Sequence, residues 1–221
     1  MESYSSVRAV ATIFKLKTGY GVRTMKLLGP SRSPYAFKVM VMLAEKGITC
    51  KFIDSSPSSP EVTAANPLSK VPTLIRDDGK ALYDSSVIVE YLDGIVDSPK
   101  LIPEKFEERV EVKRWEALGN GVMDASVAIS HENREPEATR KGPEFYAKQQ
   151  KKIDLGLAVM EKDLGDQGFC HGDRFSLADI SCGCALICID IRVPDMGWRE
   201  SFPALARYAE RITKRTAFEV K

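Results

Sequence analysis

Histidine is scarce in this chain: His131 and His171 are the two imidazoles among 221 residues. That is too few for a His-rich metal site. Cysteine is sparse as well. Cys50, Cys170, Cys182, Cys184 and Cys188 are odd in number, and no two are spaced as CxxC. Such usage argues for a reducing cytosol and free, mostly buried thiols. There is no excess of charge of either sign. The 32 Lys and Arg against 31 Asp and Glu leave a formal charge of +1. A balance of this kind supplies no general pull toward nucleic acid or an anionic membrane. Long apolar runs are missing too. The longest uncharged stretch, Ile180 to Ile189, has ten residues, whereas a spanning helix needs roughly 20. The expectation is a cytoplasmic protein with no membrane, nucleic-acid or metal partner.

What is present is ordinary for a soluble globular chain: 43% apolar and 29% charged residues, enough for a sizeable core. Residues 1–24 stand apart. They carry Arg8, Lys15, Lys17 and Arg23 against Glu2 alone, with frequent Ser, Thr and Gly and no sustained period. This composition reads as an extension without stable structure. It suits either an upstream start or an organelle transit peptide, and it lacks the apolar centre of a secretory signal.

Regular patterning begins at Met25. Lys26-Leu27-Leu28-Gly29 reads as a buried strand closed by Gly29-Pro30. Ser33-Pro34 is a helix start, a hydroxyl cap followed by proline in the first turn. Ala36, Val39, Met40 and Leu43 then form a helical stripe, which Lys46-Gly47 ends. Lys51-Phe52-Ile53 is a second strand, and strand-helix-strand at this spacing predicts a parallel pair. A short helix around Glu61 to Ala65 stops at Asn66-Pro67. Val71 to Ile75 is a third strand, Asp77-Asp78-Gly79 a hairpin turn, and Ala81 to Tyr83 the returning strand. A helix from Asp84-Ser85 follows, with Ile88, Tyr91, Leu92 and Ile95 on one face.

Beyond 97–105, a segment containing Pro99 and Pro103, the strand signal disappears. Trp115, Leu118, Val122, Ala125 and Ile129 define one helical seam. Ile153, Leu157, Met160 and Leu164 define another. Ser176-Leu177-Ala178-Asp179 has the form of a capping box, with Phe175 and Ile180 as a hydrophobic staple. The helix it opens places Ile180, Gly183, Cys184, Ile187, Cys188 and Ile191 at core spacing. Pro203 begins a last helix with Leu205, Tyr208, Ala209 and Ile212 inward. The predicted architecture is an α/β unit, βαβαββα, over 25–96, a linker over 97–105 and an all-α unit over 106–221.

Four signals recur in order: Ser33-Pro34 after the first strand, Asn66-Pro67-Leu68-Ser69-Lys70-Val71-Pro72, Asp84-Ser85 before Val87 to Leu92, and Ser176 to Asp179. Together they resemble the glutathione S-transferase superfamily over essentially all of 25–221, most closely a little-characterised group of bacterial transferase-like proteins. The resemblance implies a thioredoxin-like first domain, an all-helical second domain, a homodimer and glutathione as co-substrate. It further implies a cis Val71–Pro72 bond, with Val71 pairing the peptide backbone of glutathione. Asp84 and Ser85 would hold its γ-glutamyl end, and Lys70 its glycyl carboxylate.

Ser33 occupies the position from which such families stabilise the glutathione thiolate. Ser31 and Tyr35 are its alternatives. No cysteine lies between Met25 and Leu43, so mixed-disulfide chemistry is disfavoured against conjugation to a small apolar electrophile. Candidates for the electrophile side are Tyr35, Trp115, Met123, Asp124 and Ser126 to His131. Arg76, Tyr83 and Tyr91 fall near the implied dimer edge. The competing reading is a transferase-fold binding or regulatory protein without catalysis.

Overall fold

The computed structural model describes residues 25–219; the extension expected over residues 1–24 lies outside the described residues. The first half is a four-stranded sheet in the order β2-β1-β3-β4. Strand β1 (Lys26–Gly29) pairs parallel with β2 (Lys51–Asp54) and antiparallel with β3 (Thr73–Ile75), which pairs antiparallel with β4 (Ala81–Leu82). The near-continuous apolar run of β1 is what a strand buried in mid-sheet requires.

Helix α1 (Pro34–Glu45) connects β1 to β2. Helix α2 (Pro60–Ala65) packs on β1 and β3, and α3 (Ser85–Gly94) packs against α1 and β3. The order is βαβαββα, as the pattern predicts. Two strands are shorter than predicted. Pro72 has no amide to give a ladder, so β3 begins at Thr73 and Val71 stays outside it; β4 ends before Tyr83.

The second half is helical: α4 (Phe106–Glu132), α5 (Pro143–Leu164), α6 (Leu177–Arg192), α7 (Trp198–Ser201) and α8 (Pro203–Ile212), with short 3₁₀ turns at Glu137–Thr139, Pro194–Met196 and Thr216–Glu219. Helix α6 runs through its centre and packs most extensively on α4. The two backbones approach so closely that a Cβ at Gly119 would sit 2.8 Å from the Ser181 carbonyl oxygen. The predicted capping box is present. Ser176 Oγ accepts from the Ala178 amide at 3.2 Å, and Asp179 Oδ2 accepts from the Ser176 amide at 2.8 Å. Buried Asp179 also accepts from the Cys170 amide (2.8 Å) and the Tyr208 hydroxyl (2.7 Å). One core assignment fails: Ile191 is 69% exposed.

Two lysines of α1 and its cap connect the parts. Lys46, expected only as a cation at a helix end, is buried. It donates to Asp93 Oδ1 (2.9 Å) and to the carbonyls of Val96 and Pro99 (both 2.6 Å). Asp93 in turn accepts from the amides of Leu101 (2.9 Å) and Ile102 (3.2 Å), which fixes the segment between α3 and α4. Lys38 is fully buried. Its ammonium donates to Glu116 Oε1 at 2.8 Å and Asn120 Oδ1 at 3.0 Å, both on α4. Lys113 holds the other Glu116 oxygen. Burial alone would raise the Glu116 carboxyl, but Lys38 and Lys113 outweigh it and the net shift is downward.

Removing one partner of such a pair strands the other charge in the core. Glu116→Gln should therefore destabilise the fold by about 3–5 kcal/mol, while Lys38→Met/Glu116→Leu together should cost far less. Urea unfolding of the three proteins measures this. The depressed Glu116 carboxyl also sets a sign with pH. The folded state binds fewer protons than the unfolded one near the ordinary value of 4.5. The stability it contributes is present above that value and is lost as the pH falls through the lower folded one. That acid loss should flatten in the double variant.

Candidate active site

Gly29 is where the site assembles. A Cβ there would stand 3.3 Å from Ala36 Cβ, 3.5 Å from Val71 Cβ and 3.7 Å from Pro72 Cα. The bare glycine lets the end of β1, the first turn of α1 and the Val71–Pro72 loop meet. The Val71–Pro72 bond is cis, as the resemblance implies. Asn66, fully buried, builds the loop around it. Its side-chain amide donates to the Lys70 carbonyl (2.9 Å) and Thr73 Oγ1 (3.2 Å), and its Oδ1 accepts from the Leu68 amide (3.0 Å). Thr73 Oγ1 also donates to the Lys70 carbonyl, at 3.0 Å. The amide and carbonyl of Val71 have no partner among the described residues. They are free for an extended peptide. Lys70 is exposed, and its ammonium is likewise unpaired among the described residues.

Ser33 caps α1. It is 7% exposed, and its Oγ accepts from the Ala36 amide at 3.3 Å. A capping serine uses a lone pair for that contact, so its proton remains available to a further acceptor. Ser31 differs. Its hydroxyl donates to Asp54 Oδ2 at 3.1 Å and its amide to Oδ1 at 3.4 Å. The Tyr35 hydroxyl donates to Asp124 of α4. Burial and that carboxylate hold the phenol well above its ordinary range, so its proton stays on oxygen and is already committed.

Asp84 caps α3, its Oδ1 accepting from the Ser86 amide at 2.9 Å. Ser85, buried in the first turn, has an Oγ without a partner among the described residues. A helix start with an uncommitted hydroxyl and free amides suits a carboxylate. Ser86 Oγ accepts from Asn120 Nδ2 at 3.2 Å. The same asparagine that receives Lys38 thus reaches α3.

The expected electrophile residues divide. Trp115, Met123 and Ser126 point into the helical core, and Ser126 donates to the Val122 carbonyl at 2.9 Å. Tyr35, Asp124, Ser130 and His131 gather instead at the mouth between the halves. There they meet Arg32 and, from α6, Cys188, which the spacing marked only as core, and Arg192. Arg192 Nη2 donates to the Arg32 carbonyl at 2.5 Å, and Nη1 to Ser130 Oγ at 3.4 Å. Burial pushes the Cys188 thiol up to about 12, against a smaller opposing pull from Arg192. It is no nucleophile near neutral pH. Burial, with Arg134, Arg192 and Arg32 nearby, lowers His131 below 6.5. That shift favours the neutral imidazole.

Among the described residues no cluster of His, Cys, Asp and Glu could hold a metal, and no helix is long and apolar enough to cross a membrane. A surface cleft of about 410 Å³ between Glu45 and Ala217 lies at the far end of α1 from Ser33. Its Arg215 is already paired with Glu45, at 2.8 and 2.9 Å.

Residues 32–95 match the family model of the glutathione S-transferase N-terminal domain, and 143–211 that of the C-terminal domain. The uncharacterized GST-like protein YibF of Escherichia coli K12 is 35% identical over 88% of this chain and 96% of its own length. A crystal structure of a Methylobacillus flagellatus KT glutathione S-transferase with glutathione bound is 43% identical, covering 88% of this chain and 97% of its own, with a TM-score of 0.84. One from Methylobacterium radiotolerans JCM 2831, in complex with glutathione sulfonate, is 36% identical. It covers 89% of this chain and 93% of its own, with a TM-score of 0.83.

Proposed function

The chain belongs to the glutathione S-transferase family, and on that premise we propose that it is a transferase that conjugates the glutathione thiolate to a small apolar electrophile. Glutathione is the co-substrate. The observation that carries this reading is the meeting, at Gly29, of an unpaired Val71 backbone behind a cis proline with a helix headed by Ser33. The peptide of glutathione lies along Val71. Its γ-glutamyl carboxylate sits at Ser85 and the start of α3, with Asp84 toward the ammonium, and Lys70 faces the glycyl carboxylate.

The thiol comes to Ser33. The hydroxyl donates to the sulfur, and the amino end of α1 adds positive potential, so the thiolate persists near neutral pH. The sulfur lone pair then forms the S–C bond as the leaving group departs with its own pair. Ser31 already donates its hydroxyl hydrogen bond to Asp54 and Tyr35 its own to Asp124, which supports Ser33 as the donor. The working form is a cytoplasmic homodimer, its role the removal of reactive electrophiles. Arg76, stacked 5.0 Å from the centre of the Tyr91 ring, lies at the proposed contact edge.

Four measurements test this. Ultraviolet titration of bound glutathione should place its thiol well below the free value of ~8.5. Ser33→Ala should return it toward that value, lower kcat roughly tenfold and cost about 1 kcal/mol of stability through the lost cap. Ser31→Ala should leave the titration unmoved; the opposite pattern reassigns the donor to Ser31. Ser85→Ala should weaken glutathione binding by about 1–3 kcal/mol, raising KM more than it lowers kcat. Calorimetry with glutathione at 10 mM and no heat would leave the non-catalytic scaffold as the better reading. Light scattering at micromolar concentration should give twice the chain mass, and a monomer would count against the dimer.

A further inference from the structure

The mouth between the halves carries three arginines that no carboxylate pairs among the described residues. Arg32 precedes Ser33, Arg134 follows the end of α4, and Arg192 ends α6. None of the three meets a carboxylate among the described residues, although the chain as a whole has nearly as many acids as bases. Elsewhere the picture is mixed: Arg140 and Arg211 also donate only to carbonyls, while others meet acids. Arg109 meets Glu90, Arg114 meets Glu111 and Asp163, Arg199 meets Asp190, and Arg215 meets Glu45. Arg192 is half-buried, a position in which a guanidinium gains most from an anion. Yet it holds only neutral acceptors, the Arg32 carbonyl and the Ser130 hydroxyl. Of the acids nearby, Asp124 accepts the Tyr35 hydroxyl and Asp54 the amide and hydroxyl of Ser31. His131 lies close enough to all three that they add to the downward shift that its partial burial causes.

We infer that this cluster binds the carboxylate of the second substrate, so that the electrophile is an organic acid rather than a purely apolar molecule. The inference rests on the glutathione reading above, which already places both glutathione carboxylates elsewhere, at Ser85 and Lys70. The anion that the mouth awaits therefore comes with the electrophile. Its place is set by one hydrogen bond. Arg192 grips the peptide carbonyl next to Ser33, so a carboxylate on Arg192 lies within a short carbon chain of the sulfur. The Tyr35 ring and the Cys188 thiol offer the apolar wall for that chain. Arg32 and Arg134, both exposed, add attraction that also steers an anion inward.

Two thioethers that differ in one functional group test this by calorimetry on the full chain: S-(3-carboxypropyl)glutathione and its amide, S-(3-carbamoylpropyl)glutathione, with glutathione alone as reference. The acid should bind about tenfold or more tightly than the amide, as a charge-assisted hydrogen bond provides. The gap should narrow in 0.5 M salt and fall below about threefold in Arg192→Gln. Should Arg192→Gln fail to fold for want of its bond to Arg32, the exposed Arg134→Gln should narrow the gap in the same direction. Equal binding of acid and amide, or a gap that neither substitution nor salt reduces, overturns the inference while leaving the glutathione site standing. No heat with glutathione or with either thioether removes the glutathione site, and this inference with it.

Discussion

A lysine ammonium without water around it needs an anion, and for Lys38 that anion comes from the other half of the chain. The Lys38–Glu116 pair is the constraint on which the active-site geometry depends. Lys38 lies in α1, the helix that Ser33 heads. Glu116 and Asn120 lie one turn apart on α4, and Asn120 passes the connection to Ser86 in α3, the helix that opens with Ser85. The two helix starts proposed to hold glutathione are thereby tied through one asparagine to one face of the helical half. A buried pair of this sort adds little net stability over an apolar substitute, because desolvation offsets its attraction. What it adds is register: with Glu116 displaced by one turn, the ammonium would be left unpaired.

The proposed site divides its chemistry between those two halves. The glutathione side consists almost wholly of backbone and short hydroxyls: the Val71 peptide group, the first turns of α1 and α3, Ser33 and Ser85. Such groups are rigid and pre-oriented, and they recognise a peptide ligand at little cost in side-chain entropy. The other side is built from long cationic side chains carried by α4, α6 and the loop before α1. Its Arg32–Arg192 contact joins residues 160 positions apart. Substrate preference in this arrangement follows from the helical half, while the nucleophile is prepared by the sheet half.

Much of this could be read before the structure. Ser33-Pro34, Asp84-Ser85 and Ser176 to Asp179 are local signals. A helix start is decided by groups within four residues of one another, and all three helices begin where those signals place them. Helical seams such as Ile153, Leu157, Met160 and Leu164 are equally local, and all four residues are buried. The reading was weaker wherever a residue's partner is distant. Lys38 sits between apolar residues with no mark of a buried ion pair, since its partner is 78 positions away. Trp115 and Met123 are candidates for the electrophile side by the resemblance. The rotation of α4 instead turns them into the core, and it turns Asp124 and His131 outward.

Sequence by itself determined the succession of elements and the hydroxyls that head the helices, because each is settled by neighbours along the chain; the cis Val71–Pro72 bond came only with the family resemblance. It also determined the family, since four such local motifs in one order are enough for that. Tertiary structure alone decided which charges meet. It gave Asp54 to Ser31 and Asp124 to Tyr35, which leaves the Ser33 proton uncommitted. It brought Gly119 against Ser181, and it carried Arg192 back to the residue before Ser33. The physical reason is one of range: a cap or a turn is closed within a few residues, whereas the partner of a buried or half-buried charge is chosen by how whole helices pack.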